Sequence, residues 1–208
     1  VLADAPFNPL DKRHLGQSVA EALLLQSPIR LPLKDEFDGA GTYVIYYTGS
    51  FKPYAPISKA NQDNKWSQPI YVGKAVPPGA RRGGFGLELP PGNALFRRLG
   101  EHEVSIQQAK NLDVADFYCR YLLVDDIWIP LSETVLIQRY APLWNTLVVG
   151  FGNHDPGSGR HKQKMSPWDI IHPGRPWADR LEPGDKTSAD IIKEIRQSLR
   201  SMSNDVGQ

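Results

Sequence analysis

Cysteine is nearly missing from this 208-residue chain, which carries Cys119 alone. A single cysteine excludes an internal disulfide and a thiolate zinc site, and it agrees with a reducing cytosol. Set in Asp116-Phe117-Tyr118-Cys119-Arg120-Tyr121, it reads as a small buried hydrophobe rather than a nucleophile. Also lacking is any apolar run near the roughly eighteen residues needed to span a bilayer. The opening Val1-Leu2-Ala3-Asp4-Ala5-Pro6 has no basic-then-apolar pattern of a signal peptide. Charge of one sign is scarce too: 24 Lys and Arg stand against 23 Asp and Glu, for a net of +1. Composition alone therefore announces no nucleic-acid binder. The 40% hydrophobic content suffices for one sizeable core.

What is present is unevenly placed. Between Lys74 and Arg98 the chain carries Lys74, Arg81, Arg82, Arg97 and Arg98 against the single acid Glu88. A second basic cluster is Arg160, His161, Lys162 and Lys164, while acids gather at Asp35-Glu36 and Asp125-Asp126. Two basic clusters inside Gly/Pro-rich loops point to an anionic partner without identifying it.

Pattern reading gives a short amphipathic helix over 18–25, broken by Pro28 and Pro32. Thr42–Thr48, rich in β-branched and aromatic residues, reads as a strand, and Ile70–Gly73 as a second. Residues 49–68 between them, punctuated by Gly49, Pro53 and Pro56, read as a long loop. A glycine-rich loop over 79–92 leads to a helix over 93–110, weakened at Gly100. A third strand covers 115–124, and a further helix enters at Pro130-Leu131-Ser132, with Ser132 as N-cap, and ends before Pro142. Residues 150–167 form a Gly/Pro/His-rich loop, and 187–200 a final amphipathic helix. The expected fold is α+β: a small three-stranded antiparallel sheet flanked by helices. It forms one domain, with an N-terminal extension over 1–38, a core over 39–145 and a loop plus helix over 146–208.

Four features carry chemistry. Tyr43 and Tyr71 stand in paired short strands, Gly41-Thr42-Tyr43 and Tyr71-Val72-Gly73. Arg98 and His102, four apart, share a helical face, placing a fixed cation beside a group able to move a proton near neutral pH. Glu133 shares its face with Leu136, Ile137 and Tyr140, which suits either a helix-end carboxylate or a ligand for a hard cation such as Mg²⁺. Asn145, in Pro142-Leu143-Trp144-Asn145, follows that helix closely enough to return to the same place. Each feature alone has an ordinary structural explanation: cross-strand packing, a surface pair, a helix cap and a turn residue.

Taken in order, Gly-x-Tyr, Tyr-x-Gly-Lys, Arg-x-x-x-His, Glu-x-x-Leu-Ile and Pro-Leu-Trp-Asn resemble the GIY-YIG nuclease superfamily over roughly residues 39 to 145. Gly150-Phe151-Gly152-Asn153-His154, Pro156-Gly157, Gly159-Arg160 and His172-Pro173-Gly174-Arg175 extend the likeness to its type II restriction endonucleases that target CCGCGG. Thr42 and Val72 replace the isoleucines of the superfamily's name, and the excursion between Tyr43 and Tyr71 exceeds that of the homing enzymes.

The resemblance implies metal-assisted phosphodiester hydrolysis without a covalent intermediate. Glu133 would hold one divalent cation, Mg²⁺ or else Mn²⁺. Tyr43 would take the proton of the attacking water. A free phenol has a pKa of about 10, so it needs nearby positive charge or a partner to accept its proton. Lys74 and His102 are the candidates, and which of the three ends with the proton stays open. Arg98 would stabilise the transition state, Tyr71 orient water or phosphate, and Asn145 support the site.

DNA phosphates would meet Lys74, Arg81, Arg82, Lys162 and Lys164. Arg160 and Arg175, each following a glycine, would read guanine edges or touch phosphates only. A palindromic target implies a homodimer, and the family implies a bacterial, cytoplasmic enzyme with a partner methyltransferase guarding host DNA. Rival readings are a GIY-YIG nuclease acting on branched or damaged DNA, a non-catalytic DNA-binding protein, and an RNA-cutting toxin.

Overall fold

The protein, as a computed structural model, is described here over residues 8, 10–77, 91–157 and 162–205. Arg81, Arg82, Arg160 and most of the 79–92 loop lie outside the described residues.

The centre of the molecule is strand β2 (Gly41–Tyr47), buried along its whole length. It pairs antiparallel with β3 (Tyr71–Ala75) on one side and β4 (Phe117–Leu123) on the other. A two-residue strand, β1 (Ile29–Arg30), adds to the outer edge of β4. The sheet order is β1-β4-β2-β3, four strands where the sequence reading expects three. The extra strand is too short to carry an alternating pattern, and its flanking prolines read as loop.

Alternation along β2 feeds two cores, because successive side chains leave opposite faces. Tyr43, Ile45 and Tyr47 join one apolar cluster with Leu95, Leu99 and Ile106 of α3 (Ala94–Gln108). Trp144 of α5 (Leu143–Thr146), Val148, Phe151, Trp168 of α6 (Pro167–Ile171) and Ile191 and Ile195 of α7 (Ser188–Asp205) complete that cluster. Val44, Tyr46 and Val72 pack on the opposite face against Ala20 and Leu23 of α1 (Lys12–Leu24) and Leu136 of α4 (Ile129–Tyr140). Residues after 146 thus complete the same core that covers Tyr43.

Several element bounds differ from the pattern reading for local reasons. Helix α1 begins at Lys12 because the Asp11 carboxylate accepts from the Arg13 amide at 2.8 Å, capping a polar first turn that hydrophobic periodicity misses. The 49–68 excursion is not all loop: a 3₁₀ turn at Lys52–Tyr54 runs into α2 (Ala55–Asn61). Pro53 and Pro56 lie in opening turns, where a missing N–H costs no hydrogen bond. Ser132 is not an N-cap. Helix α4 starts three residues earlier, and the buried Ser132 hydroxyl donates within its own helix to the Ile129 carbonyl at 3.0 Å and also meets Thr42 Oγ1 at 3.2 Å.

Candidate active site

Strand β3 is the edge of the sheet, so side chains from both of its faces can meet at the rim. Register places Tyr43 opposite Gly73 and Ile45 opposite Tyr71, putting both tyrosines on the face covered by α3. Thr42 stands opposite Lys74, on the face covered by α4. Position 73 has to be glycine, because a Cβ there would come within 2.4 Å of Tyr43 Oη and 2.5 Å of its Cζ. The ring lies across the glycine, and the surrounding core leaves it no retreat. Gly73→Ala is therefore expected to cost about 1–3 kcal/mol of stability through overpacking, read as a lower urea midpoint with an unchanged m-value.

Tyr43 is fully buried, with its Oη 2.6 Å from His102 Nε2. Burial first, then the neighbouring Tyr71, drives the phenol pKa well above its ordinary value, although the Arg98 charge opposes this. His102, only 1% exposed, is moved the other way. Burial and the adjacent Arg98 cation hold its pKa well below the usual histidine range, so the ring is neutral. In the tautomer that carries its hydrogen on Nδ1, the neutral imidazole accepts the phenol proton at Nε2 over this distance. Phe151 stacks on His102 with ring centroids 4.4 Å apart and planes 15° apart, sealing it from water.

Tyr71 is half-buried beside this pair, its ring centroid 5.2 Å from that of His102. Burial raises its phenol pKa, Arg98 lowers it, and the Glu133 carboxylate is near enough to push up both tyrosines. Arg98 donates from Nη1 to Glu101 Oε2 and to His154 Nε2, each at 2.8 Å, and from Nη2 to the Gly152 carbonyl at 3.2 Å. Glu101 escapes the sequence reading, although its i+3 spacing from Arg98 was the available signal.

On the other face of the rim, Lys74 Nζ meets Glu133 Oε2 at 2.6 Å, with Glu133 mostly shielded and Lys74 more open. Asn145 makes two bonds to one residue of the edge strand: its Oδ1 accepts from the Val72 amide and its Nδ2 donates to the Val72 carbonyl, both at 2.8 Å. The outer backbone edge of β3 is thereby occupied, and Asn145 holds the strand that carries Tyr71 and Lys74.

Among the described residues no group of three or more His, Cys, Asp or Glu could form an all-protein metal cage. One carboxylate is still compatible with a hard divalent cation, which takes one or two carboxylates and completes its shell with water and phosphate oxygens. Glu133, mostly shielded and paired with the Lys74 ammonium, is a carboxylate at this rim that could serve so.

Of the expected DNA contacts, Lys162 is exposed, and Lys164 is exposed but hydrogen-bonded to Asp185. Arg175 requires a correction. It is 1% exposed and cannot reach a base. Its Nε donates to Asp169 Oδ1 at 2.7 Å, Nη1 to the carbonyls of Phe151 and Asn153 at 3.1 Å, and Nη2 to the Gly150 carbonyl at 2.9 Å. Its guanidinium lies over the Trp168 and Trp177 rings, 4.4 and 4.6 Å from their centroids.

His172 of the same His172-Pro173-Gly174-Arg175 segment is equally internal, whereas Pro173 is exposed and Gly174 half-buried. Trp144 Nε1 donates to Tyr54 Oη at 3.0 Å, and since Trp can only donate, the tyrosine proton goes on to His172 Nε2 at 2.7 Å. His172 Nδ1 then donates to Asn111 Oδ1 at 2.9 Å. Gly174 adopts φ +144°, and a Cβ there would come 1.9 Å from the Gln108 carbonyl oxygen at the end of α3. Burial and the Arg175 charge push the His172 pKa down to about 3.

His172 and His102 therefore stay neutral in the fold at pH values where an unfolded histidine, with a pKa of about 6.5, takes up a proton. Both lend stability that is complete above the unfolded pKa and falls as pH drops below it, by about 1.4 kcal/mol per pH unit for each group. Melting curves between pH 7.5 and 5 are expected to show a falling midpoint; a flat profile would contradict two buried neutral imidazoles.

The model of one protein family, described as the Eco29kI GIY-YIG domain, matches residues 35–199. No curated protein matches the chain. No helix among the described residues is long and apolar enough to cross a membrane. A match over most of the chain, on a small antiparallel sheet that gathers Tyr43, Tyr71, Arg98, His102, Glu133 and Asn145 at one rim, places the protein in the Eco29kI GIY-YIG family, a restriction-endonuclease branch of the GIY-YIG nucleases.

Proposed function

We propose that the protein hydrolyses one phosphodiester bond per strand in double-stranded DNA at the palindrome CCGCGG, with one divalent cation, Mg²⁺ or Mn²⁺, at Glu133 of each subunit of a homodimer. The observation that carries this reading is the 2.6 Å contact between a protonated Tyr43 and a neutral His102, beside Arg98 and Glu133. It supplies the proton acceptor that a phenol lacks by itself.

Tyr43 takes the proton of the attacking water as its own passes to His102 Nε2, so no free phenolate forms. The imidazole is free to accept it because burial keeps it unprotonated at neutral pH. Arg98, released from Glu101 and His154 when phosphate arrives, binds the non-bridging oxygens with its fork and offsets the charge that builds during attack. Tyr71, half-buried at the mouth, orients the phosphate or the water. Glu133 would hold the cation, which would polarise the phosphate and support the leaving 3′ oxygen. Lys74 yields the carboxylate and turns to a phosphate.

Two duplexes test the site and the substrate class together: one contains CCGCGG, and the other differs by one central base pair. The proposal expects cleavage of the first alone, in both strands, with ends that sequencing locates. Equal cutting of both duplexes, or cutting of branched DNA only, points instead to a repair-type nuclease.

A further inference from the structure

We propose that the buried Arg175–Asp169 pair is a positioning device for the catalytic centre, acting through the Gly150–His154 loop on His102 and Arg98. This inference rests on the nuclease reading above and adds residues to the same site.

The argument follows the hydrogen bonds inward. Asp169 is fixed at both oxygens: Oδ1 accepts from Arg175 Nε at 2.7 Å and Oδ2 from Ser166 Oγ at 2.6 Å. The carboxylate sets the plane of a guanidinium already held between Trp168 and Trp177. From that fixed fork, donors reach the carbonyls of Gly150, Phe151 and Asn153, three residues of one short loop. A loop without regular structure has no ladder of its own to satisfy buried carbonyls, so these bonds determine its path.

The other side of the same loop is the wall of the active site. Phe151 stacks on His102 at 4.4 Å, the Gly152 carbonyl accepts from Arg98, and His154 accepts from Arg98. Gly152 is small enough to let Arg98 Nη2 and Tyr71 Oη approach, since a Cβ there would lie 2.8 and 3.2 Å from them. Two groups expected to act on the proton and the phosphate are thus oriented by backbone that Arg175 holds. Lysine cannot replace this fork, because it offers a point charge without planar, divergent donors.

The test compares the native chain with Arg175→Lys and Phe151→Leu, the second leaving the Arg175 bonds in place while removing the stack on His102. Single-turnover and steady-state cleavage of the CCGCGG duplex are measured well below each melting midpoint. His102 exposure is read separately, as carbethoxylation by diethyl pyrocarbonate mapped by peptide mass. The proposal expects kcat to fall roughly ten- to hundredfold in both variants, as misplacement of catalytic groups does, with KM and duplex affinity within about twofold. It also expects His102 to become reactive in both. Loss of discrimination between CCGCGG and the altered duplex, with kcat retained, would overturn it in favour of a base-reading arginine. Unchanged kcat and an unreactive His102 would reduce the pair to a fold support. If Arg175→Lys does not fold, Ser166→Ala, which removes the bond to Asp169 Oδ2 and loosens the carboxylate that holds Arg175, decides by the same criteria. If the native chain cuts no DNA, the nuclease reading fails, while the reactivity of His102 still reports on the positioning device.

Discussion

Replacing Glu133 with glutamine lowers the single-turnover cleavage rate by roughly a thousandfold or more, because a divalent cation contributes several kcal/mol to a phosphoryl transition state. Glutamine keeps the size of the side chain and its place on α4, so the sheet and both cores are untouched. What changes is the charge: the neutral amide is a poor ligand for a hard cation and no longer pairs with Lys74, now 2.6 Å away. Freed Lys74 remains available to phosphate, so duplex binding is expected to hold or tighten slightly in a gel-shift titration. Lys74→Met separates the two roles of the carboxylate. If Glu133 mattered only as the partner of Lys74, both variants would lose activity equally. If it holds the cation, Lys74→Met retains far more activity.

The second large effect is expected from Tyr43→Phe. The ring stays in place across Gly73, and only the hydroxyl that meets His102 is removed. General base catalysis contributes typically 10²–10⁴-fold, so kcat should fall by about that factor with KM little changed. Stability should fall as well, by about 1–3 kcal/mol, because a buried ring nitrogen of His102 is left without its partner. Burial raises the Tyr43 phenol pKa, which disfavours a standing phenolate and is why the proposed proton path runs on to His102. A Phe variant cutting at the native rate would remove Tyr43 from the proton path and leave water activation to another group.

Much of this arrangement was legible because its residues sit on regular elements. Arg98 and His102 are one helical turn apart, so spacing alone predicts their shared face, whereas Tyr43 and Tyr71, on two strands rich in β-branched and aromatic residues, share theirs through the β2–β3 register. The fold class followed from the same periodicities, with β1 and α2 escaping for opposite reasons. Ile29–Arg30 is too short to show alternation, and α2 hides behind two prolines that its opening turns accommodate.

Arg175 shows the limit of sequence reading more sharply. An arginine after a glycine in a polar loop looks like a DNA contact, and nothing local reveals that Trp168, Trp177 and Asp169 will close around it. Burial of a charge is decided by tertiary partners, and Asp169 lies six positions away with no helical or strand spacing to connect them. The same holds for His172, whose partners Tyr54 and Asn111 come from distant parts of the chain. Motif likeness marked these positions, but only the structure shows that they face inward.

The central claim, metal-dependent hydrolysis at this rim, is tested most directly by digesting plasmid DNA with the native protein in the presence and absence of Mg²⁺ and sequencing the ends. The account predicts discrete fragments that require the cation and end within CCGCGG. Identical fragments in excess chelator, or intact plasmid under conditions where the protein binds it, would contradict the account.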